Sequence, residues 1–271
     1  MCISVSLLTN HIGKMNNTFK TTYYSVQTHK QIHDLRIVFV SDLHLKEYGK
    51  DNEDLLVAIK NLKPDIIAVG GDSVIYNNKD FSSAITFLNN AAQIAPTYIA
   101  PGNHEWTLIY HYKNYKFLSA LRQCEAIYLD NKLINVIIGE NEFVICGAYD
   151  EPDAELGKTD KVFEKLNEID ENTFTLLLNH CPTTIKYSNV TPIADLVLSG
   201  HEHGGQFIIP FTNQGLYSNN QGFFPQYTGG MHTIANNTVI ISRGLSNSYH
   251  KIPRINNQPE LVVIDVNKET I

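Results

Sequence analysis

The chain has 271 residues, of which 43% are hydrophobic and 18% charged, and its formal net charge is -7. That length buries a sizeable core without a disulfide or metal staple, and the acidic balance excludes a protein devoted to a duplex nucleic acid backbone, which needs massed Lys and Arg. Cys2, Cys124, Cys146 and Cys181 show no short paired spacing, so they are expected as reduced thiols in a cytoplasmic protein and form neither a disulfide framework nor a thiolate metal site.

Residues 9–33 are polar and aperiodic, so residues 1–34 are expected as a partly irregular extension outside the core, with at most an edge strand at 22–26. The domain is expected to run over 35–271. Residues 35–40 form an apolar run that predicts a buried strand, and 52–62 carry Leu55, Leu56, Ala58, Ile59 and Leu62 at helical spacing before Pro64. A strand follows at 65–69, a helix at 81–92, a strand at 97–100 and a helix with a Tyr-rich face at 108–121. Residues 127–129, 133–138 and 143–148 read as three consecutive strands of a meander, joined by Asp130-Asn131 and Glu140-Asn141. The second half predicts a helix at 161–169, a strand at 174–178, a short helix at 182–188 and strands at 196–198, 239–242 and 261–266. This alternation points to α/β architecture. No apolar run approaches the roughly 20 residues of a spanning helix, and residues 1–8 lack the flanks of a secretion signal.

Polar residues collect where predicted strands end: Asp42 and His44, Asp72 after Gly70-Gly71, Asn103 and His104 after Gly102, His180, and His201 with His203 after Gly200. Ligands of open α/β sheets bind beyond the carboxyl ends of strands, so these positions converge on one crevice. Residues two apart in extended backbone point the same way, which makes Asp42 with His44, and His201 with His203, two pincers. The glycines are expected to supply positive φ and close backbone approach. Mixed imidazole, carboxylate and amide oxygen favours a transition metal or zinc over calcium or magnesium. Seven candidate ligands suit two ions bridged by a carboxylate, for which Asp72 is the natural choice.

Asp42-Leu43-His44, Gly71-Asp72, Gly102-Asn103-His104-Glu105, His180 and Gly200-His201-Glu202-His203, in that order, resemble the calcineurin-like metallophosphoesterase superfamily. Gly204-Gly205-Gln206, Ser242-Arg243-Gly244 and Pro259-Glu260 resemble its bacterial branch of phosphodiesterases related to UDP-2,3-diacylglucosamine pyrophosphatase. The resemblance implies a four-layer αββα sandwich of two mixed sheets. It implies two divalent ions (Mn, Fe or Zn), one held by Asp42, His44, Asp72 and His203, the other by Asp72, Asn103, His180 and His201. The implied reaction is hydrolysis of a phosphodiester, pyrophosphate or phosphomonoester by a hydroxide bridging the ions, with His104 protonating the leaving group. The implied substrate is a phosphate-ester small molecule or a lipid-linked ester, with peripheral membrane contact left open. The alternative is a non-catalytic metal-containing binding or scaffold protein on the same fold.

Two departures from the pattern matter. Ile75 stands where the superfamily often has an Asp that orients the catalytic His, and Glu202 stands where Thr is common. Gly205, Phe223 and Phe224 are candidate substrate contacts, because the aromatic segment 207–227 follows the last ligands and either packs on the domain or forms an apolar wall. Gly157-Lys158-Thr159 mimics the end of a phosphate loop, but Pro152 stands where the first glycine belongs. Cys181 is expected to face packing, opposite to His180.

Overall fold

In a computed structural model, residues 13, 16–149, 156–249 and 252–269 are described. Two six-stranded mixed sheets stack face to face, and helices cover both outer faces. The first sheet has the order β1 (Lys20–Thr28), β16 (Glu260–Lys268), β2 (Leu35–Val40), β3 (Ile66–Val69), β4 (Thr97–Ile99) and β5 (Ile127–Tyr128). The second has the order β12 (Gly230–Ile234), β13 (Asn237–Ile241), β9 (Leu196–Ser199), β8 (Phe174–Asn179), β7 (Asn141–Ala148) and β6 (Lys132–Ile138). Two small pairs complete the strands: β10 (Tyr217–Ser218) with β11 (Gly222–Phe223), and β14 (Ser248–Tyr249) with β15 (Ile252–Pro253).

The central strands read as unbroken apolar runs because both of their faces are covered, as at Ile66–Val69, where every residue is buried. Phe39, Phe143, Phe174, Leu178, Ile240 and Ile264 fill the layer between the sheets. On the first sheet's outer face, α1 (Glu53–Asn61), α2 (Ser82–Ala92) and α4 (Tyr115–Gln123) contribute Leu55, Phe87 and Phe117. On the second sheet's outer face, α5 (Leu156–Asn167) and α6 (Thr184–Tyr187) contribute Phe163 and Ile185. These layers are the predicted four-layer αββα sandwich. Among the described residues no helix is long and apolar enough to cross a membrane, and Cys124, Cys146 and Cys181 are free thiols.

Several elements differ from the sequence reading. The edge strand expected at 22–26 is present but longer, a nine-residue strand paired in parallel with β16 at the sheet's edge, and, against the expectation of an extension outside the core, Val26 and Ile32 are buried between the sheets. The reason is that the strand's pairing partner lies at the other end of the chain, out of reach of any local pattern. The expected meander is divided: β5 pairs in parallel with β4, whereas β6 and β7 form a hairpin in the other sheet. Periodicity reports a strand but not the sheet it joins. The expected helix over 108–121 is two pieces, a π-helical turn at Thr107–His111 and α4, the latter capped by the Asn114 side chain accepting from the Phe117 N–H at 3.2 Å, and a short helix α3 (Asn103–Trp106) precedes them. Helix α5 begins five residues before the expected position 161, and Gly157-Lys158 lie inside it. Pro152 lies outside the described residues.

Candidate metal centre

Parallel strands β2, β3 and β4 of one sheet and β8 and β9 of the other release their carboxyl ends to the same edge. The two sheets are tied there by backbone bonds from Leu245 N–H to Ser41 O (3.0 Å) and from Ser246 N–H to Asp42 O (2.7 Å). Four groups of side chains each bring their ligand atoms within 4.8 Å of one another: Asp42, His44 and His203; His44, Asp72 and His104; Asp72, His180 and His201; and Cys181, His201 and Glu202. Asp72 belongs to two of them.

The local backbone is not the extended pincer expected from spacing. Asp42, His44, Asp72, His201 and His203 all have φ between 47° and 72°, the left-handed region that costs a non-glycine residue of order 1 kcal/mol or more. Tight turns at the strand ends, held by the fold, aim these side chains inward. Two glycines serve by lacking a side chain: a methyl group at Gly102 would collide with the Asp72 carboxylate, and one at Gly200 with Asp42 and Ser41.

Two of the imidazoles are oriented by their outer nitrogen. His180 Nδ1 lies 2.6 Å from Gly70 O and His44 Nδ1 3.2 Å from Val74 O. A carbonyl only accepts, so both Nδ1 atoms carry the proton and both Nε2 lone pairs face the centre. His44 Nε2 lies 3.3 Å from His203 Nε2, and His180 Nε2 lies 3.2 Å from Asp72 Oδ2. Burial pushes the His44 imidazole down to about 4 and that of His203 well below its ordinary value. Burial opposes charge on Asp72 as well, but the imidazoles around it, His180 first, outweigh this and hold its carboxyl well below the usual range. A cation bound here would need these imidazoles neutral and the carboxylates ionised, and would take the place of the protons that the two kinds of group otherwise share. Asn103 Oδ1 is buried and accepts no hydrogen bond, so an amide oxygen is also left for a cation beside them.

Four contributors escaped the sequence reading. Glu105 is fully buried and accepts from the backbone N–H groups of Asp72 (2.7 Å), Ser73 (2.7 Å) and Gly102 (2.9 Å), clamping the β3 turn to α3. Burial and the nearby Asp72 push its carboxyl up to about 7. Tyr76 takes over the orienting task that Ile75 cannot perform: its backbone N–H donates to His104 Nδ1 at 3.2 Å and its ring lies edge-on at 5.0 Å. The proton of His104 is thereby placed on Nε2, 3.9 Å from Asp72 Oδ2. Asn220 Nδ2 lies 2.8 Å from His201 Nε2 and 3.1 Å from Cys181 Sγ. Cys181 therefore faces polar neighbours and not the packing expected of it; β8 has ended, and strand alternation with it. Glu202 is buried in a group with Cys181 and His201, beside the site. Phe223 and Phe224 are exposed on the β10–β11 hairpin that carries Asn220, and Gly205 is buried with φ 67°.

Arg254 is the fourth. It is fully buried, donates from Nε to Ser246 O at 2.7 Å, and places Nη2 3.4 Å from His203 Nδ1. Burial lowers it to about 10, so it stays charged and faces Asp42 and Glu260. Arg254→Met should cost about 3 kcal/mol in denaturant unfolding of the metal-free chain, because it leaves buried carboxylates uncompensated. An unchanged midpoint would remove this role.

A profile of the calcineurin-like phosphoesterase family matches residues 35–205. An uncharacterized metallophosphoesterase of Helicobacter pylori is 33% identical over 190 residues, covering 66% of this chain and 47% of that protein. The chain thus spans about half the length of such relatives. The Escherichia coli phosphodiesterase YaeI is 25% identical, covering 85% of this chain and 82% of its own. Among solved structures, phosphopantetheinyl hydrolase of Mycobacterium tuberculosis has a TM-score of 0.49 at 12% identity, covering 77% of this chain and 88% of its own.

Proposed function

Since the chain belongs to the calcineurin-like phosphoesterase family, we propose that it is a metal-dependent hydrolase of phosphate esters that works at the crevice between the two sheets. The observation that carries this reading is the convergence of ionised carboxylates, inward-facing imidazole lone pairs and the unbonded Asn103 Oδ1 at one point. Asp42, His44, Asp72 and His203 would hold one divalent ion, and Asp72, Asn103, His180 and His201 a second, with Mn, Fe or Zn suited to this donor set. When bound, such ions supply Lewis acidity toward phosphoryl oxygens and lower the pKa of water.

The protein's own residues orient and shield. Tyr76 and Asp72 hold His104 from both sides, the latter accepting the His104 backbone N–H at 2.8 Å. His104 then offers its Nε2–H to the oxygen that leaves the phosphorus. Phe223 and Phe224, exposed on a hairpin tied to His201 through Asn220, would form an apolar wall over the crevice, and Gly205 would admit substrate close to the backbone. A substrate from the bacterial branch related to UDP-2,3-diacylglucosamine pyrophosphatase is compatible with such a wall, as is contact with a membrane surface. The match to a protein named as a phosphodiesterase supports a diester over a monoester.

The test is turnover by metal-reconstituted protein of a monoester, a diester, a pyrophosphate and an acylated diester, each with a chelator control. Metal-dependent turnover is expected, with a higher kcat/KM on the diesters. Stoichiometric metal binding without turnover of any of the four would favour the scaffold alternative.

A further inference from the structure

A cavity of about 390 Å³ opens at the end of the short helix that begins with Asn103 and His104, and takes part in none of the chemistry above. We propose that it is a nucleobase subsite, so that the substrate is a nucleotide-type diester or pyrophosphate; this rests on the phosphoesterase reading. Its walls are Trp106, Tyr110, Asp130, Tyr149, Lys161 and Lys165. Trp106 ends the same short helix that begins with Asn103 and His104, roughly one 5.4 Å turn away. Asp130 follows β5, and Tyr149 follows β7, so the cavity shares the carboxyl edge with the metal centre.

The backbone is shaped for this cavity. The Tyr112 N–H donates to Thr107 O at 3.0 Å, five residues back, which defines the π-helical turn. Such turns are uncommon and concentrate at functional sites. This one carries Tyr110, whose hydroxyl meets that of Tyr149 at 2.8 Å and Asp130 Oδ2 at 3.3 Å. Tyr128 joins the same chain of hydroxyls, 3.1 Å from Tyr149.

The lining matches one chemistry. Trp106 and Tyr110, with ring centroids 5.8 Å apart and planes 36° apart, offer π faces on which any base can stack. Asp130 is an acceptor for the amino and ring N–H groups of a base edge, as bases splayed from a strand are read. Lys161 and Lys165 lie one turn apart on the exposed face of α5 and supply positive charge for a second phosphate or an ionised base-linked group. An acyl chain would strip water from the Asp130 carboxylate without replacing its hydrogen bonds, which argues against a lipid tail here.

Trp106 is the only tryptophan in the chain, so its fluorescence reports stacking directly. Cytidine 5′-monophosphate added to the metal-free full chain should quench it saturably, ribose 5-phosphate should not, and Lys161→Ala/Lys165→Ala should weaken binding about tenfold. With metal, that variant should lose about tenfold more kcat/KM on a nucleoside 4-nitrophenyl phosphate than on methyl 4-nitrophenyl phosphate. Absence of quenching, equal quenching by ribose 5-phosphate, or equal losses on the two esters would overturn the subsite. Quenching in a protein that hydrolyses neither ester would sink the phosphoesterase reading and leave the subsite standing, whereas hydrolysis without quenching would do the reverse.

Discussion

Asp72→Ala should lose more bound metal than Asn103→Ala, and its kcat should fall on the order of 10³-fold or more, about 4 kcal/mol of barrier. Asp72 belongs to two of the four candidate ligand groups, and its Oδ1 also accepts the His104 N–H. Its removal therefore takes a shared carboxylate from both proposed ions and loosens the group beside the leaving oxygen. Asn103 contributes one neutral oxygen to one ion. Elemental analysis of the purified variants, alongside wild type carrying two ions, checks the ordering. Wild type saturating at one ion, or an Asp72→Ala protein that keeps both, would refute the bridging role.

His104→Ala should retain both metals yet lose on the order of 10²- to 10⁴-fold on an alkyl ester and clearly less on a nitrophenyl ester. An alkoxide must receive a proton as it departs, while a nitrophenolate leaves as an anion. The Tyr76 N–H on Nδ1 puts the His104 proton on the Nε2 side that faces Asp72. Rates across a leaving-group series in both proteins measure the effect. Parallel slopes would mean that His104 acts by binding the phosphoryl group instead.

The family pattern was legible because its residues come in short blocks tied to strand ends, as at Asp42–His44 and Gly102–Glu105, and each block survives as a local string. What positions those residues was not. The Tyr76 donor is a backbone N–H, which every residue but proline carries, so no letter announces it. Glu105 stood inside a recognised block, but its three backbone partners appear only when β3 and α3 are side by side. Asn220 and Arg254 reach His201 and His203 from later loops with no spacing to mark them.

By itself the sequence determined the alternation of buried strands and amphipathic helices, the two-layered apolar content and the short blocks that carry the candidate metal ligands, because these depend on composition and on periods of a few residues. Tertiary structure decided the rest. Only closure of the chain pairs Lys20–Thr28 with Glu260–Lys268, sends β5 and β6 to different sheets, and holds five site residues in left-handed backbone. Long-range pairing and strain of this kind are set by what packs against a segment, and a local string carries no record of its neighbours in space.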